Sequence, residues 1–300
     1  MFTYPFEQIV EVENIGEPTK QTFDQFLRNT NLPSVKKAKD DEEKVLLLAI
    51  DVQNDFMDAG ALGVPGAKQD VERLLQFIHH NFEQITHIMA SIDTHKPQQI
   101  FHPCWWEDSS GNEPEPLTII TYEDIQSGKW SPRFHHEKSM AYVRKLEEQS
   151  KKQLCIWPYH CIQGSYGVSL ESQFTKMAYL HSLLRDYELK TVVKGEDPLS
   201  EMYGIIQPEY SEKELVRYDV VEEIKQYDKV IIAGEAASHC VIESVIQIVE
   251  HVKDDRRLLE NIYVLTDCMS SIPGFEEETE KEFQTLHRDY GVQLILTSEW

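Results

Sequence analysis

The sequence predicts an α/β protein in which a mostly parallel sheet carries helices on both faces. The run VLLLAI at 45–50 is entirely apolar, which is typical of a parallel strand buried on both of its faces. After this run, short apolar segments of strand length alternate with longer segments whose apolar residues recur at helical spacing. Such alternation favours parallel pairing, because each helix carries the chain back to the edge where the next strand starts.

The predicted elements follow the chain in a simple order. A short helix at 22–28 precedes the strand at 45–50, and a helix at 70–81 leads to a strand at 87–93. A helix at 138–152 lies in a stretch that interrupts the alternation. The pattern then resumes with helices at 169–184, 220–226, 241–252 and 276–290 and strands at 191–194, 229–235, 261–266 and 292–297.

The chain is divided into an extension and one domain. Residues 1–43 are mixed in character and run into the charged segment KKAKDDEEK, so we interpret them as an N-terminal extension. Residues 44–300 form the α/β domain. Residues 97–153, rich in Pro, Trp and charged side chains, are predicted to be an insertion within it.

Composition limits the classes of partner. The net charge of −23 argues against binding to nucleic acid or to an anionic membrane surface, because both need clustered Lys and Arg. No apolar run approaches the roughly 20 residues that span a bilayer, and the N-terminus lacks a secretory pattern. Five cysteines without a CxxC pair indicate reduced thiols, and hence a cytoplasmic protein.

A cysteine lies between a predicted strand and a predicted helix, in the segment GEAASHC that ends at Cys240. The free N–H groups and the dipole at a helix start favour a thiolate, as a nucleophile requires. A small buried hydrophobic residue is the equally weighted alternative.

Charged residues end the neighbouring predicted strands. Asp51, Asp93, Lys194 and Glu235 would meet at the carboxyl edge of a parallel sheet, where ligands bind. Asp51 is suited to take the proton of Cys240, and Lys194 to stabilise the thiolate. For either residue alone, an ordinary ion pair at a strand end is the simpler interpretation.

A second set of residues has the character of a metal site. Asp93 and His95 lie two residues apart in DTH, and His160 follows in WPYHC. One carboxylate and two imidazoles would leave coordination positions open for water or substrate. His102 is a further candidate ligand, ranked below His160. The alternative to a metal site is that these histidines line a pocket without binding a metal ion.

The joint pattern resembles the nicotinamidase branch of the isochorismatase-like cysteine hydrolases. The matching blocks are DVQNDF at 51–56 with GAL and VPGA after it, DTHKP at 93–97, WPYHCIQG at 157–164, KG at 194–195 and GEAASHCV at 234–241. They occur in the family's order and cover about 45–298. The resemblance implies a three-layer αβα fold with a doubly wound sheet.

The resemblance also implies a chemistry. Asp51, Lys194 and Cys240 would form a catalytic triad, and a cis peptide before Ala236 would direct the N–H groups of Ala236 and Cys240 at the oxyanion. Asp93, His95 and His160 would hold one divalent metal ion, with zinc ranked before manganese and iron. The expected activity is hydrolysis of nicotinamide to nicotinate and ammonia through a thioester, in a chain that forms a homo-oligomer as family members often do.

Aromatic residues are expected to hold the substrate ring. Phe56 and Trp157 match pocket positions of the family best, and Tyr166 and Tyr203 are further candidates; core packing is the alternative for each. The segments ASH at 237–239 and GEDPLSEMYG at 195–204 depart from the family pattern. These departures leave two alternative functions open: hydrolysis of another small amide or carbamoyl compound, and ligand binding without catalysis.

Overall fold

The computed structural model describes residues 2–28, 32–149 and 153–300, and within these ranges a parallel sheet forms the centre of the molecule. The strands are β1 Val45–Ile50, β2 His87–Asp93, β3 Trp106–Glu107, β4 Ile119–Ile120, β5 Ser131–Pro132, β6 Leu154–Cys155, β7 Lys190–Lys194, β8 Lys229–Gly234, β9 Ile262–Leu265 and β10 Gln293–Ile295. The helices are α1 Phe23–Arg28, α2 Ala67–His80, α3 Tyr122–Gln126, α4 His136–Glu148, α5 Ser172–Arg185, α6 Tyr218–Ile224, α7 Ile242–Val252, α8 Arg256–Leu259 and α9 Glu276–Tyr290.

The central sheet is doubly wound, as predicted. Its strands lie in the order β10-β9-β8-β1-β2-β7, and every neighbouring pair is parallel. The chain starts in the middle with β1, moves outward through β2 to β7, and then returns to place β8 on the other side of β1. The strand order therefore reverses between β1 and β8, and a crevice at the carboxyl ends of such strands is where α/β proteins bind ligands.

Each face of the sheet has its own apolar core, which confirms the three-layer architecture. Leu46, Leu48 and Ile50 of β1 point to one core, together with apolar residues of α6, α7 and α9. Val45, Leu47 and Ala49 point to the other, together with residues of α2 and α5. Because successive side chains of a strand alternate between faces, a strand covered on both faces must be apolar throughout, as β1 is.

The regions outside the regular alternation also contribute to these cores. Phe2, Ile9 and Phe26 from the N-terminal region are buried in the core that contains α2 and α5. Trp105 and Tyr142, from the predicted insertion, are buried in the opposite core. The division of the chain into an extension, a domain and an insertion stays a prediction.

The observed elements agree with the predicted ones within a few residues, with specific differences. The helix predicted at 138–152 is α4, which ends at Glu148, and residues 150–152 lie outside the described part of the chain. Helices α3 and α8 and the short pairs β3–β5 and β4–β6 were not predicted, because elements of two to five residues are too short to show a period. None of the helices in the described ranges combines the length and apolar character that crossing a bilayer requires.

Candidate active site

The side chain of Lys194 connects the predicted catalytic residues. Lys194 ends β7, and its Nζ lies 2.9 Å from Oδ2 of Asp51, 3.2 Å from Oδ1 of Asp93 and 3.6 Å from Sγ of Cys240. It also donates a hydrogen bond of 3.0 Å to the carbonyl of Met202. The three predicted residues Asp51, Lys194 and Cys240 thus meet in one buried cluster at the carboxyl edge.

The surroundings of Cys240 act on its thiol in opposite directions. Burial raises the pKa of Cys240 well above its ordinary value; Lys194 opposes this effect, and Asp51 adds to it. Burial thus acts against the thiolate that the helix start favours, and Lys194 acts for it. Burial also raises the pKa of Asp51, which makes its carboxylate a stronger base for the proton of the thiol.

The loop that carries Cys240 has an unusual backbone. After β8 the Glu235–Ala236 peptide is cis, as the family resemblance implies, and residues Ala237–Val241 form a π-helical turn that continues into α7. Gly234 has a φ of 124°, and a Cβ there would lie 2.0 Å from the carbonyl oxygen of Ile50. Only glycine therefore allows β8 to pass β1 this closely before the loop turns.

Two residues after β1 hold the other loops in place. Gln53 donates from Nε2 to the carbonyl of Asp93 at 2.8 Å and accepts the N–H of Asp93 at 2.8 Å through Oε1. Asp55 accepts the N–H of Cys161 at 2.7 Å, which fixes the segment next to His160. The motif DVQNDF thus contributes Asp51 to the cluster and uses Gln53 and Asp55 to position the loops after β2 and β6.

The predicted metal ligands form one buried group whose geometry suits a cation. The ligand atoms of Asp93, His95 and His160 all lie within 4.8 Å of one another. Nε2 of His95 and Nε2 of His160 lie 2.8 Å and 3.8 Å from Oδ2 of Asp93. Their Nδ1 atoms bond to backbone carbonyls, at Gly195 and Pro158 respectively, and such bonds orient the rings of histidines that bind a metal.

Gly195 makes room for this group. Its φ is 80°, and a Cβ at this position would come within 2.5 Å of Oδ1 of Asp93 and 2.7 Å of Cε1 of His95. Burial lowers the pKa of His160 to about 3, so the imidazole is neutral, as metal coordination needs.

The competing ligand His102 lies nearby but apart from the group. Its ring is 5.9 Å from that of His95 and 6.1 Å from that of His160, and its Nδ1 bonds to the carbonyl of Pro97 at 3.0 Å. The group of converging ligand atoms does not include it.

A cavity of about 430 Å³, including its open mouth, joins the thiol to the group of predicted metal ligands. Among the predicted substrate contacts, Phe56, Trp157 and Tyr203 line it, as do Ala236 and Cys240. Tyr166 does not: it is 48% exposed and lies outside the cavity lining. The turn around Tyr166 places its carbonyl toward Asn54, so a substrate contact of its ring stays a prediction that this cavity does not support.

Sequence reasoning missed several residues of the wall. Glu201 and His239 line the cavity, and both come from the two segments that depart from the family pattern. The ring of His239 lies 5.3 Å from the rings of both Trp157 and Tyr203. The two segments that differ from the family pattern could therefore have indicated that the side chains lining this cavity differ as well.

Glu235, expected at the catalytic edge, takes a structural role instead. Its Oε2 accepts the N–H of Ser270 at 3.3 Å, and Ser270 Oγ bonds to Asp70 at the start of α2. Burial and, next, the charge of Asp70 raise the pKa of Glu235 well above its ordinary value. The side chain thus faces α2 and ties the loop before Cys240 to that helix.

Comparisons with known proteins agree with this geometry. No protein-family model matches the chain. The nicotinamidase of Escherichia coli K12 is 26% identical over 260 residues, which cover 85% of this chain and 95% of that protein.

Solved structures share the fold at low sequence identity. The yeast nicotinamidase bound to the inhibitor nicotinaldehyde has a TM-score of 0.60 at 20% identity, over 84% of this chain and 99% of that one. A pyrazinamidase of Pyrococcus horikoshii, crystallised in complex with zinc, has a TM-score of 0.50 at 17% identity, over 84% and 99% of the two chains. The chain is therefore similar in sequence to a nicotinamidase over most of both lengths, and it shares the fold of a solved nicotinamidase and a solved pyrazinamidase.

Proposed function

We propose that this protein is a metal-assisted cysteine amidohydrolase that converts nicotinamide to nicotinate and ammonia. The observation that carries the proposal is that one aromatic cavity is lined by both Cys240 and the Asp93–His95–His160 group. A planar ring can then lie against Phe56 while its carboxamide faces the thiol. The relationship to the E. coli nicotinamidase over most of both chains supports the same substrate.

The first half of the reaction transfers the acyl group to the thiol. Asp51 takes the proton of Cys240, which lies with it beside the Lys194 ammonium, and Lys194 stabilises the thiolate at 3.6 Å. Sγ attacks the carboxamide carbon, and the N–H groups of Ala236 and Cys240 hold the oxyanion. The C–N bond breaks, and the proton on Asp51 goes to the departing nitrogen, which leaves as ammonia.

The second half regenerates the thiol. Asp51, again a carboxylate, takes a proton from water, whose oxygen attacks the thioester carbon. The C–S bond breaks and the proton on Asp51 returns to Sγ. The carboxylic acid that forms releases the second proton of the water to solvent and leaves as nicotinate. The pKa values of both Asp51 and Cys240 are raised. Each group therefore binds the proton strongly enough to accept it from the other in turn.

The metal-binding group serves to position the substrate. We propose one divalent ion, with zinc ranked before manganese and iron, held by Asp93, His95 and His160. When bound, this ion supplies a Lewis-acidic centre for the pyridine nitrogen, directly or through a water molecule. Hydrogen bonds from the two histidines to backbone carbonyls preset the orientation of the rings.

The wider setting follows from the same proposal. We place the enzyme in the cytoplasm, as a homo-oligomer acting on a small amide, with neither nucleic acid nor membrane as a partner. All five cysteines are free thiols, which supports a reducing compartment.

The test is ammonia release from nicotinamide by metal-loaded protein, compared with Cys240→Ala. The matched control is Cys104→Ala, which removes a partly exposed thiol outside the cavity lining. Release that vanishes only in Cys240→Ala supports the proposal. No release from the wild-type protein would contradict nicotinamide as the substrate, and a panel of small amides and carbamoyl compounds would follow.

A further inference from the structure

The carboxylate of Glu201 lies in the cavity wall, and side chains from three segments donate hydrogen bonds to it. Tyr203 donates its hydroxyl to Oε1 at 2.5 Å, and Trp157 donates Nε1–H to the same oxygen at 3.1 Å. Tyr142, from α4, donates to Oε2 at 3.3 Å and accepts the N–H of Glu201 at 2.9 Å. Glu201 is only 3% exposed, and an ionised carboxylate accepts from all three donors.

These bonds fix two of the aromatic residues that line the cavity. The rings of Trp157 and Tyr203 lie edge to face, 6.5 Å apart at 89°, and Nε1–H of Trp157 also donates to the Tyr203 hydroxyl at 3.2 Å. Because hydrogen bonds to a charged acceptor are about twice as strong as neutral ones, one carboxylate controls the position of both rings. The next residue, Met202, accepts the bond from Lys194, so the same short segment also touches the catalytic cluster.

Three donors converge on the two oxygens of Glu201, which suits an ionised carboxylate, and in this form Glu201 brings negative charge to the cavity wall. The pKa values of Tyr142 and Tyr203 are raised well above their ordinary range, first by burial and next by the charge of Glu201. A fixed negative charge at the wall repels an anionic ligand more than a neutral one of the same shape. Hydrolysis of a carboxamide converts a neutral substrate into an anionic product, so this charge distinguishes the two.

We propose that Glu201 is a positioning and specificity-determining residue, which holds the Trp157–Tyr203 wall and restricts the cavity to uncharged aromatic amides while it weakens retention of the carboxylate product. This inference rests on the proposed function for the class of ligand. Its test, however, is a binding measurement that needs no turnover.

The experiment compares binding of nicotinamide and nicotinate by isothermal titration calorimetry, with metal-loaded Cys240→Ala protein as the background. Glu201→Gln keeps the side-chain size and an acceptor for Trp157 and Tyr203 but removes the charge. We expect the nicotinate-to-nicotinamide ratio of Kd values to fall about tenfold, the factor that two like charges roughly 10 Å apart produce at an effective dielectric constant near 20. Glu196→Gln, the same change at an exposed position of the preceding loop, should leave the ratio unchanged.

A second variant tests the positioning role. Glu201→Ala removes the acceptor of the Tyr203 hydroxyl and leaves Trp157 Nε1–H only that hydroxyl to bond with. We expect it to raise the Kd of nicotinamide about 10- to 100-fold, as loss of hydrogen bonds to a charged group does. Glu201→Gln should restore most of that affinity, which a general loss of folding would not allow.

The outcomes separate this inference from the proposed function. A Kd ratio that is the same in Glu201→Gln and the parent overturns the charge effect, and wild-type affinity in Glu201→Ala overturns the positioning role. Failure of either ligand to bind the parent protein also overturns the inference. Absence of ammonia release with the expected shift in the Kd ratio would overturn only the proposed function.

Discussion

Replacement of Lys194 by methionine tests the electrostatic argument most directly. Methionine has a similar length but no charge, so the cluster keeps Asp51, Asp93 and Cys240 and loses the ammonium that contacts all three. The matched control is Lys190→Met on the same strand, where the side chain is 39% exposed and pairs with Glu223.

The expected size of the effect follows from the distance of 3.6 Å between Nζ of Lys194 and Sγ of Cys240. At an effective dielectric constant of about 20, unit charges at this separation attract each other by roughly 4.6 kcal/mol. Since about 1.4 kcal/mol corresponds to a factor of ten, loss of the ammonium should reduce kcat/KM about 10³-fold. Removal of one partner from a buried ion pair should also lower the free energy of unfolding by about 3–5 kcal/mol.

Two assays check this prediction. The first is kcat/KM for ammonia release, and the second is the pH dependence of Cys240 alkylation by iodoacetamide, followed by mass spectrometry. Without the ammonium the thiolate is less stable, so the pKa of Cys240 rises and alkylation requires a more alkaline pH. Lys190→Met should leave both profiles unchanged and lower the free energy of unfolding by less than about 1 kcal/mol.

The reasoning is refuted if Lys194→Met alkylates with the wild-type pH profile while near-ultraviolet circular dichroism shows a native fold. Alkylation of an unfolded variant would not test the reasoning, because the thiol of an unfolded chain is exposed to water and ionises independently of Lys194.

Three further predictions address other parts of the site. His160→Ala should lower the affinity for the metal ion 10- to 100-fold, so the variant should lose its metal on dialysis, as measured by mass-spectrometric metal analysis. His80→Ala, a change at an exposed histidine, should retain the metal. Phe56→Ala should raise KM for nicotinamide about tenfold through lost ring contact, and Tyr166→Ala should not; equal effects would contradict the cavity assignment. Glu235 has a raised pKa in the folded state, so the folded protein binds more protons and stability should fall as pH rises from about 4.5; Glu235→Gln should flatten this part of the denaturation profile, and an unchanged slope would argue against a buried proton there.

Much of the fold could be predicted because its signals are local and periodic. The apolar run of β1 indicated a strand covered on both faces, and β2 and α9 have the bounds that the sequence predicted. The catalytic edge followed from one rule of parallel sheets, which placed Asp51, Lys194 and Cys240 together although they are far apart in the chain.

The parts that could not be predicted depend on long-range packing. No local pattern tells which way the side chain of Glu235 turns, and it faces Ser270 and Asp70 rather than the thiol. The position of Tyr166 depends on a turn that shows no period. The pKa of Cys240 is raised first by burial, which the position of a helix start does not reveal.

The place of Lys194 at the end of β7 has a consequence for how this protein loses activity on mild heating. Strand β7 is hydrogen-bonded to β2 on one side and forms the border of the sheet on the other. Border strands open by local fluctuations at a lower free energy than central strands such as β1. Each such opening withdraws the ammonium from Asp51 and Cys240, so fraying of a single strand inactivates a molecule whose centre is still intact. Thermal inactivation should therefore precede global melting, with amide hydrogens of β7 exchanging faster than those of β1 and β8.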